Sequence, residues 1–250
     1  IKAMKEHMIS LYPNMKAKEI PQIPSSVTSE SLLPYVKDIN NLPIGIDNNE
    51  FAIYYHNITK NRISSITGNT ALSSLSFICG IIDEINYLPG NHVEVYDSTY
   101  LVNLDSNEGN LYNSDPDSSL DSIIENVSNT DNTNFVFILG LKSFLGDMSE
   151  EYKVKFEEFV SSLSEKNCYL IIVDNYSSFK RLVSETWYQT RVDNTSGIWL
   201  GEGLGSQMAI NVSNFSMEDR KLDFPYMGFA VKNSKKVIIK CAIDDYEGNQ

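Results

Sequence analysis

The sequence predicts a three-layer α/β sandwich with a mainly parallel central sheet and an antiparallel C-terminal edge. Residues 135–139 and 169–173 are continuous apolar runs, too short for buried helices and rich in β-formers, as strands covered on both faces of a parallel sheet are. From residue 51 onward, strand-like segments alternate with segments of helical apolar spacing. Two final strand-like stretches, 228–232 and 235–243, flank Asn233-Ser234, which predicts a hairpin closing an edge of the sheet.

Residues 1–40 show a short helical pattern over 4–11 and then Pro13, Pro21, Pro24 and Pro34. Proline at that density disfavours regular structure, so this stretch is expected to be an arm or linker, with the domain covering 41–250 and starting near Leu42. Residues 51–56 and 63–67 read as strands. Residues 70–87 read as a helix with Leu72, Leu75, Ile78, Ile82 and Ile85 on one face, and 92–96 as a strand again. A crossover of this kind implies parallel pairing. Residues 107–121 are polar and rich in Gly and Asp, a surface loop leading into a short helix over 120–127.

Between the two apolar runs, residues 149–166 place Tyr152, Phe156, Phe159 and Leu163 at helical spacing, a stripe expected to pack in the core. Asp147 and Glu150 resemble a capping pair before it. A further helical pattern covers 178–188, followed by strand-like 197–200 and 208–212. The glycines of 197–207, GIWLGEGLGSQ, lack G-x-G-x-x-G spacing and a basic neighbour, so a tight turn between two strands is the plainer expectation than an anion cradle. Trp187 and Trp199 are packing or contact aromatics.

Composition narrows the function classes. A chain of 250 residues with 42% hydrophobic content has ample core for one large domain with a short arm. Its net charge of −13 repels phosphate backbones, and Lys235 and Lys236 stand almost alone, so no nucleic-acid partner is expected. Cys79, Cys168 and Cys241 lie far apart in apolar segments, as buried reduced thiols of a cytosolic protein do. His7, His56 and His92 are equally scattered, and no metal site is expected. No apolar stretch approaches bilayer length, and no basic segment followed by an apolar one opens the chain. Beginning at Ile1 in mid-pattern, the chain reads as a piece of a longer protein.

Residues 61–77, NRISSITGNTALSSLSF, have the frame of a phosphate-binding loop between a strand and a helix. A working loop reads G-x-x-x-x-G-K-[ST]: its backbone N–H groups close around phosphates, Lys neutralises them and the hydroxyl binds magnesium. From Gly68 the pattern runs through Asn69, Thr70, Ala71 and Leu72; the second Gly is then Ser73, the Lys is Ser74 and the metal-binding hydroxyl is Leu75. The expectation is a RecA-like (P-loop NTPase) sandwich that has lost most of its grip on nucleotide, with no cofactor beyond weakly held ATP and magnesium. An active site also needs an acid at the end of a buried strand. The first apolar run ends in Gly140 and Leu141, without a carboxylate; the second ends in Asp174 and Asn175. By pattern Asp174 suits a magnesium site. By chain order it is instead a solvated loop carboxylate or the N-cap of the helix over 178–188. Neither reading completes a site, and no catalytic residue is assigned.

Residues 42–47 (LPIGID) before the first strand, the degenerate loop at Gly68, the two apolar strands and above all GIWLGEGLGSQ together resemble the FtsK/SpoIIIE-type ATPase modules of type VII secretion coupling proteins of the EssC kind. The resemblance covers residues 1–243 and is nearest the C-terminal, third module, where such motif decay is common. In that alignment residues 135–141 are the acid strand, so Gly140 and Leu141 replace carboxylates, and Asp174-Asn175 stands where active modules carry Thr-Gln. The resemblance implies a cytoplasmic module at the end of a cell-membrane protein that hexamerises and exports WXG100-type proteins. Its partners would be those secreted substrates, recognised by a signal peptide, and neighbouring modules of the same protein. An alternative is a motor module that binds and hydrolyses ATP with catalytic groups completed by a neighbouring protomer.

Overall fold

The computed structural model describes residues 24, 26–69, 71–102, 109–216 and 227–243. In chain order the elements are α1 (Ser29–Leu32), β1 (Leu42–Asp47), β2 (Ile53–His56), β3 (Ile63–Gly68), α2 (Leu75–Tyr87), β4 (Asn91–Asp97), β5 (Asn110–Tyr112) and α3 (Pro116–Ser128). They continue with β6 (Thr133–Leu139), α4 (Leu141–Asp147), α5 (Glu150–Ser162), β7 (Cys168–Asn175), α6 (Tyr176–Leu182), α7 (Thr186–Arg191), β8 (Gly197–Leu200), β9 (Met227–Lys232) and β10 (Lys235–Cys241).

The strands form one sheet in the order β2-β1-β10-β9-β8-β3-β7-β6-β4-β5. Strands β8, β3, β7, β6, β4 and β5 run parallel, and the other half, from β9 through β10 and β1 to β2, is antiparallel. This is the expected α/β sandwich. The apolar runs feed both layers because side chains alternate along a strand. Phe135, Phe137 and Leu139 join Ile171 and Val173 under α2, while Val136, Ile138, Leu170 and Ile172 meet the helices α3 to α7. Phe156 and Phe159 are buried in that second layer, so the aromatic stripe is core. The turn Asn233-Ser234, with φ of 51° and 60°, joins β9 to β10 as a hairpin, but β1 and β2 continue the sheet beyond it. Val27, Leu32 and Val36, ahead of β1, are buried.

Several local expectations are corrected. Residues 42–47 do not precede the first strand; they are β1, paired on both sides. The helix expected over 70–87 begins at Leu75, after a 3₁₀ turn at Ala71–Ser73. The polar stretch around 107–121 contains β5, and helix α3 starts at Pro116, where the Asp115 carboxylate accepts the Ser118 N–H at 3.0 Å. Strand β5 is too short and polar to show a period. It is held by the buried Glu94 carboxylate, which accepts Asn110 Nδ2 at 2.9 Å and the Tyr112 hydroxyl at 2.7 Å. Asp147 and Glu150 form no capping pair; the N-cap of α5 is Ser149, with no side-chain capping bond. The pattern over 178–188 is two helices, α6 and α7. Residues 208–212 are not a strand: the Gln207 side chain accepts the Ile210 N–H at 2.8 Å and donates to Ile210 O at 2.6 Å, curling the backbone there. The helical pattern over 4–11, with Pro13 and Pro21, lies outside the described residues.

Candidate functional site

Strand β3 lies between β7 and β8, with the carboxyl ends of all three on one side, where parallel sheets hold their ligands. Gly68 ends β3 at φ +155°, and a Cβ there would sit 2.0 Å from the Leu200 carbonyl oxygen, so the approach of the loop to β8 demands glycine. Beyond it the Asn69 side chain donates to Glu202 O at 3.1 Å, which anchors the loop to the turn after β8. Thr70 lies outside the described residues. Ala71 is fully buried, and Leu72 N–H donates to Asn175 Oδ1 at 3.1 Å. Ser74 N–H donates to Ala71 O at 3.2 Å, closing the 3₁₀ turn that contains Ser73. Ser74 itself is buried at the N-cap of α2, and the half-buried Leu75 is the first helical residue. Thr67 Oγ1 donates to Asp174 O at 2.9 Å and ties β3 to β7 beneath the loop.

At the end of β6, Gly140 has φ +83° and stands where a Cβ would lie 1.8 Å from Ser98 Oγ. Ser98 donates to Leu139 O through both its N–H (3.0 Å) and its hydroxyl (2.9 Å), so residues following β4 close over this tip. Leu141 is not a strand residue: it is fully buried and begins α4.

Asp174 is corrected most. It is neither solvated nor the N-cap of α6, a position that Asn175 occupies. Its carboxylate accepts Lys142 N–H at 2.9 Å, near the start of α4, where the N-cap Gly140 has no side chain to offer. It also accepts Asn175 N–H at 2.7 Å. Burial raises its pKa above the ordinary carboxylate range, against the opposing pull of the Lys142 N–H, the Ser178 hydroxyl and the Asn175 N–H. Asp174 thus bridges two helices that start at neighbouring strand ends. The sequence could not show this, because Gly140 and Asp174 are far apart in the chain.

A further carboxylate at this end escaped sequence reading. Asp97 closes β4, fully buried, and accepts Thr99 N–H at 2.8 Å, Thr99 Oγ1 at 2.5 Å, Leu101 N–H at 3.0 Å and Val102 N–H at 2.8 Å. Its oxygens are spent on folding its own loop. Asp97-Ser98-Thr99 after an alternating strand is the signal that marks such a turn.

The glycines after β8 do not form a tight turn between strands. Gly201 and Gly203 take φ of +82° and +96°, and the chain continues into a 3₁₀ turn at Leu204–Ser206. Trp199, fully buried, donates its indole N–H to Glu202 O at 3.0 Å, the same oxygen that receives Asn69, and packs on Tyr176 at 5.4 Å. Trp187 packs edge-on against Phe156. Among the described residues no group of three His, Cys, Asp or Glu side chains has metal-binding geometry. Cys168 and Cys241 are buried and their thiols pushed up to about 12 by burial, while Cys79 is half-buried; none of the three is in a disulfide among the described residues. No helix among the described residues is long and apolar enough to cross a membrane.

No family model matches the chain, and no curated protein matches it either. Solved structures do. The cytoplasmic domain of EssC is similar over 97% of this chain and 52% of its own length, at 12% identity and a TM-score of 0.68. EssC ATPases 2 and 3 from Geobacillus thermodenitrificans match 97% of this chain and 49% of theirs, at 13% identity and 0.65. Thermomonospora curvata EccC, ATPases 2 and 3 in complex with a signal sequence peptide, matches 92% of this chain and 45% of its own, at 13% identity and 0.68. The chain spans about half the length of these structures. The fold is that of these EssC and EccC ATPase domains.

Proposed function

We propose that this chain is a degenerate ATPase module, the C-terminal (third) one, of a type VII secretion coupling protein, and that it recognises substrates and supports assembly rather than hydrolysing ATP. The observation that carries the reading is the closed loop after β3. A phosphate cradle keeps its backbone N–H groups free for the anion, whereas here the Leu72 N–H is taken by Asn175 Oδ1. Ser74 and Leu75 supply neither the ammonium nor the metal-binding hydroxyl, and Gly140 and Leu141 bring no carboxylate to the β6 tip. Likeness in fold to EssC and EccC ATPase domains, one of them solved with a signal sequence peptide, supports placing the module in that machinery. On this reading its partners are WXG100-type substrates, through their signal peptides, and neighbouring ATPase modules of the same protein; the module faces the cytoplasm and meets the membrane only through that parent protein.

The test is calorimetric titration of this chain with ATP-magnesium and, separately, with C-terminal peptides of WXG100-type proteins. Peptide binding with ATP affinity no better than about millimolar is expected, given the loss of charge-assisted bonds worth roughly 1.5 to 3 kcal/mol each. A micromolar dissociation constant for ATP would overturn the degenerate reading in favour of a motor module completed by a neighbouring protomer.

A further inference from the structure

A polar cavity of about 250 Å³ opens beside the amino-terminal end of β3, whereas the nucleotide-type loop leaves its carboxyl end. Tyr54, His56, Lys60, Asn61, Ser196 and Lys232 contribute to its lining. We infer that this cavity binds a compact oxyanion, a phosphate or carboxylate group, between Lys60 and Lys232.

The residues that build it come from distant parts of the chain. Residues 57–62, which connect β2 to β3, are tied down by Thr59 Oγ1 donating to Asn40 Oδ1 at 2.5 Å and by Asn61 Nδ2 donating to Asp193 Oδ2 at 2.9 Å. Lys60 Nζ donates to Ser196 Oγ at 3.0 Å and to Asn233 Oδ1 at 2.6 Å. Two neutral acceptors position this ammonium without cancelling its charge. None of the ion pairs among the described residues includes Lys60 or Lys232.

Asp193 is a nearby carboxylate, but besides Asn61 it already accepts Thr195 N–H at 2.9 Å and Thr195 Oγ1 at 2.6 Å, so it is committed to its own turn. On the other side, Tyr54 is raised by burial and by the charge of Asp47, so it stays a neutral hydroxyl at physiological pH. Burial first, then the positive charges of Lys232 and Lys60, push His56 down to about 4, so at neutral pH the ring is uncharged and able to act as a hydrogen-bond partner. In a chain of net charge −13, two lysines that take part in no ion pair among the described residues, beside amide and hydroxyl groups, mark a place where an anion supplies the missing charge. The cavity holds one such group with a few attached atoms. It is polar, and offers no apolar groove for a folded partner.

The experiment uses the whole chain in NMR titrations at about pH 6 with inorganic phosphate in one arm and acetate in another, against sodium chloride at matched ionic strength. Saturable shifts of the His56 ring, assigned with His56→Asn, and of the Lys60 and Lys232 amides are expected in at least one arm. The responding arm identifies the anion as phosphate or carboxylate. Lys60→Gln and Lys232→Gln should each weaken the response about tenfold, the effect of one charge-assisted hydrogen bond. Melting curves confirm that each variant is folded; Lys232, exposed at the end of β9, provides the safer substitution. Shifts no larger than those with chloride in both arms, or shifts unchanged in folded Lys232→Gln, would overturn the inference.

Discussion

The side-chain oxygen of Asn175, the last residue of β7, accepts the backbone N–H of Leu72 at 3.1 Å across 103 residues of chain. Glu202 O binds Asn69 on the other flank of the same loop at 3.1 Å. The segment that the sequence frames as a phosphate-binding loop is therefore fastened to the end of β7 and to the turn after β8 by protein groups, and what those fastenings contribute can be measured.

Asn175→Ala removes the acceptor and leaves the half-buried Leu72 N–H unpaired, so the folded state should lose about 1 kcal/mol. Urea unfolding of the variant beside the unaltered chain checks this. No change in midpoint would mean that the loop holds its shape without Asn175.

Restoring Ser73→Gly, Ser74→Lys and Leu75→Thr together should improve ATP affinity, and adding Asn175→Ala should improve it further by freeing the Leu72 N–H. Hydrolysis should stay at the buffer rate, because Gly140 and Leu141 still bring no acid to the β6 tip. Turnover of about one per minute or faster in the triple variant would show that an acid acts from elsewhere, with Asp174 the first suspect. Circular dichroism must show the variant folded, since Ser74 is buried.

Glu84 on α2 is buried, with Oε2 lacking a hydrogen-bond partner among the described residues. Burial first, then the charge of Asp83, raises its carboxyl from 4.5 to about 8. Between those values the folded chain keeps a proton that the unfolded chain releases, so this group makes stability fall as pH rises through the window, with the full cost present above the folded value. Glu84→Gln should match the unaltered chain near about pH 4 and exceed it near about pH 9 by an amount on the order of a few kcal/mol. Urea titrations at both pH values decide it; equal stability at the higher pH would mean that the folded state accommodates the charged carboxylate.

Peptide recognition, on the proposed function, rests on apolar anchors with a polar rim. Affinity for C-terminal peptides of WXG100-type proteins should then change by less than about threefold between low and high salt, since screening acts on exposed charges. Tight binding of DNA with no peptide binding would instead point to a nucleic-acid translocase.

The strands and helices of this protein are legible in its sequence wherever burial imposes a period or a run. Residues 135–139 and 169–173 declare themselves as central strands because both faces are covered, residues 149–166 as a helix because one stripe is, and Asn233-Ser234 as a hairpin because both residues tolerate positive φ. The departures from a phosphate-loop pattern at Ser73, Ser74 and Leu75, and the lack of a carboxylate at Gly140 and Leu141, are equally legible, since they are read from the linear sequence. Strand β5 and helix α4 are not, being segments too short to show a period, fastened by Glu94 and Asp174 of other strands. Tertiary structure alone decides that Asp174 caps α4, that Asn175 closes the loop and that Lys60 meets Lys232 around one cavity. The physical reason is that a hydrogen-bond partner or a neighbouring charge is chosen by which strand ends lie side by side, and strand order is set by the packing of the whole sheet.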